Sequence, residues 1–428
     1  MTISATTEPK EPLTWPEEGV TRVPYRVFYD EDIYAIEHEK IFRGPIWNYL
    51  CLDIEIPEPG DYKTSFIGEI PVIVTRDMDG EIHAMVNRCA HKGALVCLKE
   101  HGNERMLTCV YHSWSFDLKG QLRGVAFRNG MRGKGGMPDD FDPDKHRLEP
   151  IRVELFCGMI FGTFSDETPP FETFLGESMS GFVKRSMGRP IKILGTHSQI
   201  MHHNWKLYAE NTRDPYHAPL LHLFHVSFGI QTPAMEGGSY MDPEGKNNCI
   251  LVKTNPDDAK DHDLLLEQYK SNDKYRPDIA LKDPRIIGTR RSYDDATNLV
   301  IMSIFPSLVI AQVENAFQIR HVRPKGPDKF EIFWTYFGFD DADKEEADDK
   351  LRLANMIGPA GFISMEDGEA ARLVQEAVRT QRGASSVIEM GGRGAVEDQD
   401  TLAQEVSLRG FWQYYRKTMG FPGNGGPS

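Results

Sequence analysis

Three textures of apolar and polar positions follow one another along the 428 residues. Up to about residue 46 the chain is polar and proline-bearing. Only DEDIYAIEHEKIFRG carries apolar positions at helical spacing, and it predicts one short helix. From Glu55 to about Ser165, short β-rich runs alternate with turn dipeptides. Asp79-Gly80 and Lys119-Gly120 are hairpin signals. After DETPPFETF the period lengthens. Helical patterns cover 171–187, 204–226, 343–357 and 364–380, with strand-like runs at NLVIMSIFPSLVIAQVENAFQIRHVRP and FEIFWTYFGF between them. Helices and antiparallel strands in one unit predict an α+β fold in which a sheet wraps round a helix. The expected organisation is a lead-in over 1–46 packing on the last domain, an all-β domain over 47–165 and a larger domain over 166–428.

Composition narrows the partners. Lysines and arginines number 49 against 64 acidic residues, a net charge of −15, which argues against a nucleic-acid partner. No run of about 18 apolar residues predicts a membrane span, and the N-terminus lacks an export signal, so a cytoplasmic location is expected. Six cysteines in such a chain do not form a disulfide framework.

Two of those cysteines do more. Within NRCAHKGALVCLKEHGNERMLTCVYHSWSF, Cys89 and His91 form a C-x-H pair. Cys109 and His112 form a C-x2-H pair seventeen residues further on. A thiolate and an imidazole on each of two hairpin loops suit a [2Fe–2S] cluster of Rieske type, which has two unlike irons. Neutral imidazoles in place of two thiolates raise its reduction potential. A tetrahedral zinc site has the same donor set and stands as the alternative. Its spacing would be unlike a zinc finger's. Tyr111, Trp114 and Phe116 are expected to keep solvent from one side of the second loop.

The second set lies in NWKLYAENTRDPYHAPLLHLFHVSFG. Asp214 and His217 are three apart and share a helix face. His217 and His222 are five apart, about 140° on an ideal helix. They converge on one ion only if the helix is broken, and Pro219 between them predicts a kink. Two imidazoles and one carboxylate make the facial triad of non-haem Fe(II) oxygenases. The best carboxylate candidate is Asp367 in GPAGFISMEDGEAARLVQEA, with Glu366 second. Ser364 and Asp367 also resemble a capping box, so a purely local role competes. His225 is a further candidate ligand whose plain reading is a packed histidine. Glycine-rich GMRGKGGM and GGRGAV do not sit between a strand and a helix, so neither reads as a dinucleotide site.

C-x-H and C-x2-H, then ENTRDPYHAPLLH, then GPAGFISMED: this order resembles the large (α) subunit of Rieske non-haem iron ring-hydroxylating oxygenases. The likeness runs from about Trp15 to Met419. It is nearest to the oxygenases of aromatic carboxylates, the terephthalate, anthranilate and salicylate types. The resemblance implies that Cys89, His91, Cys109 and His112 hold the cluster and that His217, His222 and Asp367 hold mononuclear Fe(II). It implies that Asp214 is the catalytic bridge between His217 and the neighbouring subunit's cluster histidine, at the position of His112. It implies a helix-grip catalytic domain, a trimer of α subunits with a small β subunit (α3β3), and NAD(P)H electrons delivered by a separate reductase, with or without a ferredoxin. The substrates it implies are O2 and a small aromatic carboxylate, whose anionic group Arg320 would bind. Strand parity sets Arg320 with Gln318 and Val322, and a structural salt bridge is its alternative. Lys92 departs from the arginine of many relatives, which touches docking or tuning and not ligation. An indole-type ring remains an alternative substrate, for a monooxygenase. An electron-transfer or zinc metalloprotein is the alternative outside this class.

Overall fold

The computed structural model describes residues 8–222, 225, 235–253, 282–287, 292–293, 295–359 and 361–422. Two compact units divide the chain: Phe42–Phe174 is one, and Met1–Ile41 with Leu175–Ser428 is the other. No helix among the described residues is long and apolar enough to cross a membrane.

The smaller unit is all β. Seven antiparallel strands between Asn48 and Thr163 form its main sheet. Leu107–Thr108, Ser115–Phe116 and Leu122–Gly124 form a second sheet of three. Asp79-Gly80 links the strands Ile70–Arg76 and Ile82–Val86, and Lys119-Gly120 links Ser115–Phe116 to Leu122–Gly124. Between the two sheets lies a core that includes Ile73, Met85, Trp114, Phe116 and both thiols Cys89 and Cys109.

The larger unit is built on a seven-stranded antiparallel sheet. Its strands are β1 (Ile191–Met201), β2 (Gly237–Met241), β3 (Asn248–Lys253), β4 (Thr297–Ile304), β5 (Leu308–Val313), β6 (Ala316–Pro324) and β7 (Phe330–Phe339). Their spatial order is β1-β7-β6-β5-β4-β3-β2, so every neighbour except β1 with β7 is also the next strand in sequence. Residues opposite each other across antiparallel strands share a face. Register therefore puts Ile250, Ile301, Ala311 and Gln318 on one face, and Val252, Leu299, Val313 and Ala316 beside them.

Helices close over that face. Leu353, Met356 and Ile357 of the helix Lys344–Ile357 and Ile363 of Phe362–Val378 join Leu299, Val313 and Ala316 in one core. Three other helices matter for the site. We label them α1 (Glu31–Glu37), α2 (Trp205–Asn211) and α3 (Ala218–Leu221); Phe362–Val378 is α4 and the last helix, Val406–Met419, is α5. Asp30 caps α1, accepting from the backbone N–H of Asp32 and Ile33. The lead-in packs on α5: Trp15 and Phe28 lie 6.0 and 5.5 Å from the Trp412 ring.

Two helical expectations change. The pattern over 171–187 is two helices, Phe171–Leu175 and Glu177–Met187, separated at Gly176, whose φ of 84° only glycine adopts readily. The pattern over 204–226 is also broken, but not at the proline. Helix α2 stops at Asn211, and α3 starts at Ala218 with Pro219 in its first turn, where a missing N–H costs nothing. Residues 223, 224 and 226 of that expected helix lie outside the described residues.

Candidate metal centres

The two Cys/His loops of the smaller unit are built alike. Cys89 N–H donates to the Ala94 carbonyl at 2.8 Å, and Gly93 N–H donates to the Cys89 carbonyl at 2.9 Å. In the second loop Cys109 N–H donates to the Trp114 carbonyl at 2.9 Å, and Ser113 N–H to the Cys109 carbonyl at 3.0 Å. The residue four after each cysteine is left-handed: Gly93 has φ 77° and Ser113 φ 55°. Two loops closed by matching bonds bury both thiols and place His91 and His112 with ring centres 4.5 Å apart. His91 stacks on Trp114 at 4.8 Å and 7°. Trp114 and Phe116 are buried beneath the loop as expected, whereas Tyr111 is exposed and lies against His112, 3.9 Å between ring centres.

Burial raises the Cys89 thiol above its ordinary pKa, and the neighbouring Cys109 adds to that. A cation that binds the two as thiolates would displace their protons. The Nδ1 atom of His91 is buried with no hydrogen-bond partner. Orphaned imidazole nitrogen beside paired thiols is the chemistry of an iron–sulfur ligand set, so the four residues fit the group.

In the larger unit the break between α2 and α3 is made by Asp214. Its Oδ1 accepts the backbone N–H of Tyr216 at 2.7 Å and of His217 at 3.2 Å. A side chain that captures these amides competes with the helix and ends it. The chain then turns back, and His217 and His222 meet Asp367. The Nε2 atoms of the two histidines lie 3.3 and 3.1 Å from the same Asp367 oxygen. One donor atom from each of the three lies within 4.8 Å of the others.

The capping alternative for Asp367 fails. Gly361 is the N-cap of α4, and Ser364 and Asp367 both lie inside the helix, buried. Glu366, the second candidate, faces the Nδ1 of His222 at 2.7 Å, on the side of the ring away from Asp367. His225 is buried with its ring 5.2 Å from that of His222 and is not part of the three-residue donor group.

The electrostatics are those of a cation trap. Burial alone would lower the His217 pKa, but Asp214 and Asp367 outweigh it and push it up to about 10. Burial would likewise raise the Asp367 carboxyl, and the two imidazoles hold it far below the ordinary range. In these positions a divalent ion would replace protons at nitrogen and oxygen donors. Two imidazoles and a carboxylate fit ferrous iron by donor type.

Arg320 lines the same cavity as His217, His222 and Asp367. Register explains the orientation: Arg320 stands opposite Val309 and Trp334, on the face that carries Ile301 and Leu299. Its Nη1 meets the Tyr208 hydroxyl at 3.1 Å and its guanidinium lies 4.6 Å from the Trp334 ring centre. The side chain is buried, its Nε has no partner, and among the described residues no carboxylate pairs with it. No salt bridge among the described residues makes it structural. Arg323 sits three residues on, half-buried, 3.9 Å from Glu331.

Two site residues had no sequence signal. Asn211 Nδ2 lies 2.9 Å from Asp367 Oδ1 and 3.2 Å from His217 Nε2. Glu210, half-buried, accepts from the Trp412 indole at 2.6 Å. Both roles depend on α2 ending at Asn211, which no local pattern announces. Burial pushes the Glu210 carboxyl up to about 8; the Trp412 hydrogen bond opposes this and Asp214 adds to it. An unfolded glutamate titrates at about 4.3. The folded state therefore holds this proton more tightly, and stability should be full below about pH 4.3 and fall as pH rises toward 8. In thermal melts between pH 5 and 9, Glu210→Gln should lose less stability than wild type by on the order of 3 kcal/mol. Parallel curves would remove Glu210 as the source.

Comparison with known proteins matches two domains in the chain. Residues 46–131 match the Rieske [2Fe-2S] domain, and residues 192–420 match the ring hydroxylating alpha subunit (catalytic domain). The chain is 44% identical to the anthranilate 1,2-dioxygenase large subunit of Burkholderia cepacia, over 95% of each chain. It is 41% identical to the terephthalate 1,2-dioxygenase terminal oxygenase component subunit alpha 2 of Comamonas sp, over 95% of this chain and 98% of that one. A naphthalene 1,2-dioxygenase from Rhodococcus sp. bound to indole shares the fold, with TM-score 0.77 and 23% identity over 93% of this chain and 94% of that one. The chain belongs to the ring-hydroxylating oxygenases, as an α subunit with a Rieske domain and a catalytic domain. Its cofactors are a Rieske [2Fe–2S] cluster and mononuclear iron, and the zinc alternative closes.

Proposed function

We propose that this protein is the oxygenase component that inserts oxygen from O2 into the ring of a small aromatic carboxylate. Cys89, His91, Cys109 and His112 hold the cluster; His217, His222 and Asp367 hold the iron. The observation that carries the substrate class is Arg320, a buried guanidinium in the cavity of the iron ligands with which no carboxylate among the described residues pairs. A cation so placed calls for an anionic ligand, since a buried unpaired charge is otherwise costly. The relatives named for anthranilate and terephthalate support the same class.

The side chains divide the work. Arg320, held by the Tyr208 hydroxyl and the face of Trp334, binds the substrate carboxylate through a charge-assisted pair of hydrogen bonds. Ile250, Leu299, Ile301, Val313, Ile357 and Ile363 line the cavity, hold the ring and exclude water. Asp214 Oδ2 lies 3.3 Å from His217 Nδ1, and its charge favours the proton on that nitrogen and leaves Nε2 toward Asp367. The same carboxylate is the bridge to the neighbouring subunit's cluster. The iron supplies the redox chemistry that activates dioxygen. Electrons start from NAD(P)H on a separate reductase, arriving directly or through a ferredoxin, which places the work in the cytoplasm. A small β subunit completes an α3β3 assembly.

The test is a substrate panel of carboxylated and uncarboxylated rings with product analysis, run on wild type and Arg320→Ala. With normal iron content, Arg320→Ala should raise KM for the carboxylated substrate about 10- to 100-fold, the loss of a charge-assisted contact. Arg320→Lys should fall between, keeping charge without the fork. An unchanged KM in the alanine variant would remove the anchor.

A further inference from the structure

Each ligand histidine has a carboxylate oxygen within 3.3 Å of both nitrogens. The Nε2 atoms share Asp367, at 3.3 and 3.1 Å. The Nδ1 atoms have separate carboxylates: Asp214 at 3.3 Å from His217, and Glu366 at 2.7 Å from His222. Asp214 has a part in the function proposed above; Glu366 has none. Consecutive residues on α4, about 100° apart round the helix, therefore hold the two nitrogens of one ring. Asp367 approaches from the buried side, and Glu366, with its side chain 36% exposed, from the side of solvent.

A neutral imidazole has one N–H, and the acceptor it meets decides which nitrogen keeps it. With a carboxylate on Nδ1, the proton stays there and the Nε2 lone pair is free for a metal. We propose that Glu366 is a positioning residue that sets the tautomer and ring plane of His222 and so governs how long the iron is retained. The inference rests on the assignment of iron to His217, His222 and Asp367. Glu366 is not a ligand in this reading, because it meets the nitrogen that points away from the donor group.

The experiment follows iron release from the purified holoenzyme to an excess of a ferrous chelator, with the cluster absorbance monitored alongside. Glu366→Ala should release the mononuclear iron about 10- to 100-fold faster than wild type, with the cluster unchanged. Glu366→Gln, whose amide oxygen still accepts the Nδ1 proton, should restore most of the retention. The electron paramagnetic resonance spectrum of the nitric oxide complex should change in the alanine variant and return toward wild type in the glutamine variant. A general loss of helix packing would not be rescued in that way. Wild-type release and a wild-type spectrum in Glu366→Ala would overturn the role of Glu366 if His222→Ala loses iron. If His222→Ala also keeps its iron, the ligand assignment itself fails.

Discussion

Asp214→Asn should keep both iron centres and lose turnover by about 10- to 100-fold, the scale on which removing a partner of a metal-bound imidazole acts. The carboxylate does three things at once. It accepts the amides of Tyr216 and His217, so it makes the turn; its Oδ2 lies 3.3 Å from the His217 ring Nδ1; and in the proposed assembly it links that ring to a cluster histidine of the next subunit. Asparagine keeps the shape and one acceptor oxygen, so the turn survives. It loses the charge that favours His217 as a donor through Nδ1. The loss should therefore appear in the electron-transfer step. In rapid mixing of reduced enzyme with substrate and O2, re-oxidation of the cluster should slow by the same factor as turnover. Re-oxidation at the wild-type rate would separate Asp214 from the path between the centres.

Glu37→Ala should cost about 3–5 kcal/mol of stability, because it leaves a buried ammonium without its partner. Glu37 and Lys206 meet at 2.6 Å with neither side chain exposed. The same carboxylate accepts from the Trp205 indole at 2.9 Å and from the Tyr415 hydroxyl. One side chain of α1 thus ties together α2, which ends in Asn211 at the iron site, and α5. Replacing both partners, Glu37→Met with Lys206→Met, should recover most of the loss, since two apolar side chains of similar volume leave no stranded charge. Urea unfolding of the two variants reads this directly. A loss under about 1 kcal/mol in Glu37→Ala would mean that Lys206 finds another partner or sheds its proton.

What could be read from residues alone follows a physical line. Cys89, His91, Cys109 and His112 were legible because hairpin loops keep their ligands close in sequence. The same holds for the hairpin turns at Asp79-Gly80 and Lys119-Gly120. The path between His217 and His222 was half legible. Their five-residue spacing demanded a broken helix, and Pro219 looked like the cause. The break instead comes from the Asp214 carboxylate capturing two amides ahead of the proline. That competition between side chain and helix is decided by geometry and not by propensity. Asp367 and Ser364 had a spacing that fits a cap or a ligand equally well, and only the burial of α4 against His217 and His222 separates them. Arg320 needed the register of three strands before its face was known. Glu37 and Lys206 lie 169 residues apart, and nothing near either predicts the other.

Iron counting on three proteins, with the visible spectrum of each, tests the two-centre account most directly. Wild type should hold about three irons per chain, two in the cluster and one outside it. His222→Ala should fall to about two with the cluster spectrum intact, and Cys109→Ser should lose that spectrum and keep about one. A His222→Ala protein with its full iron, or zinc in place of iron at either site, would contradict the assignment.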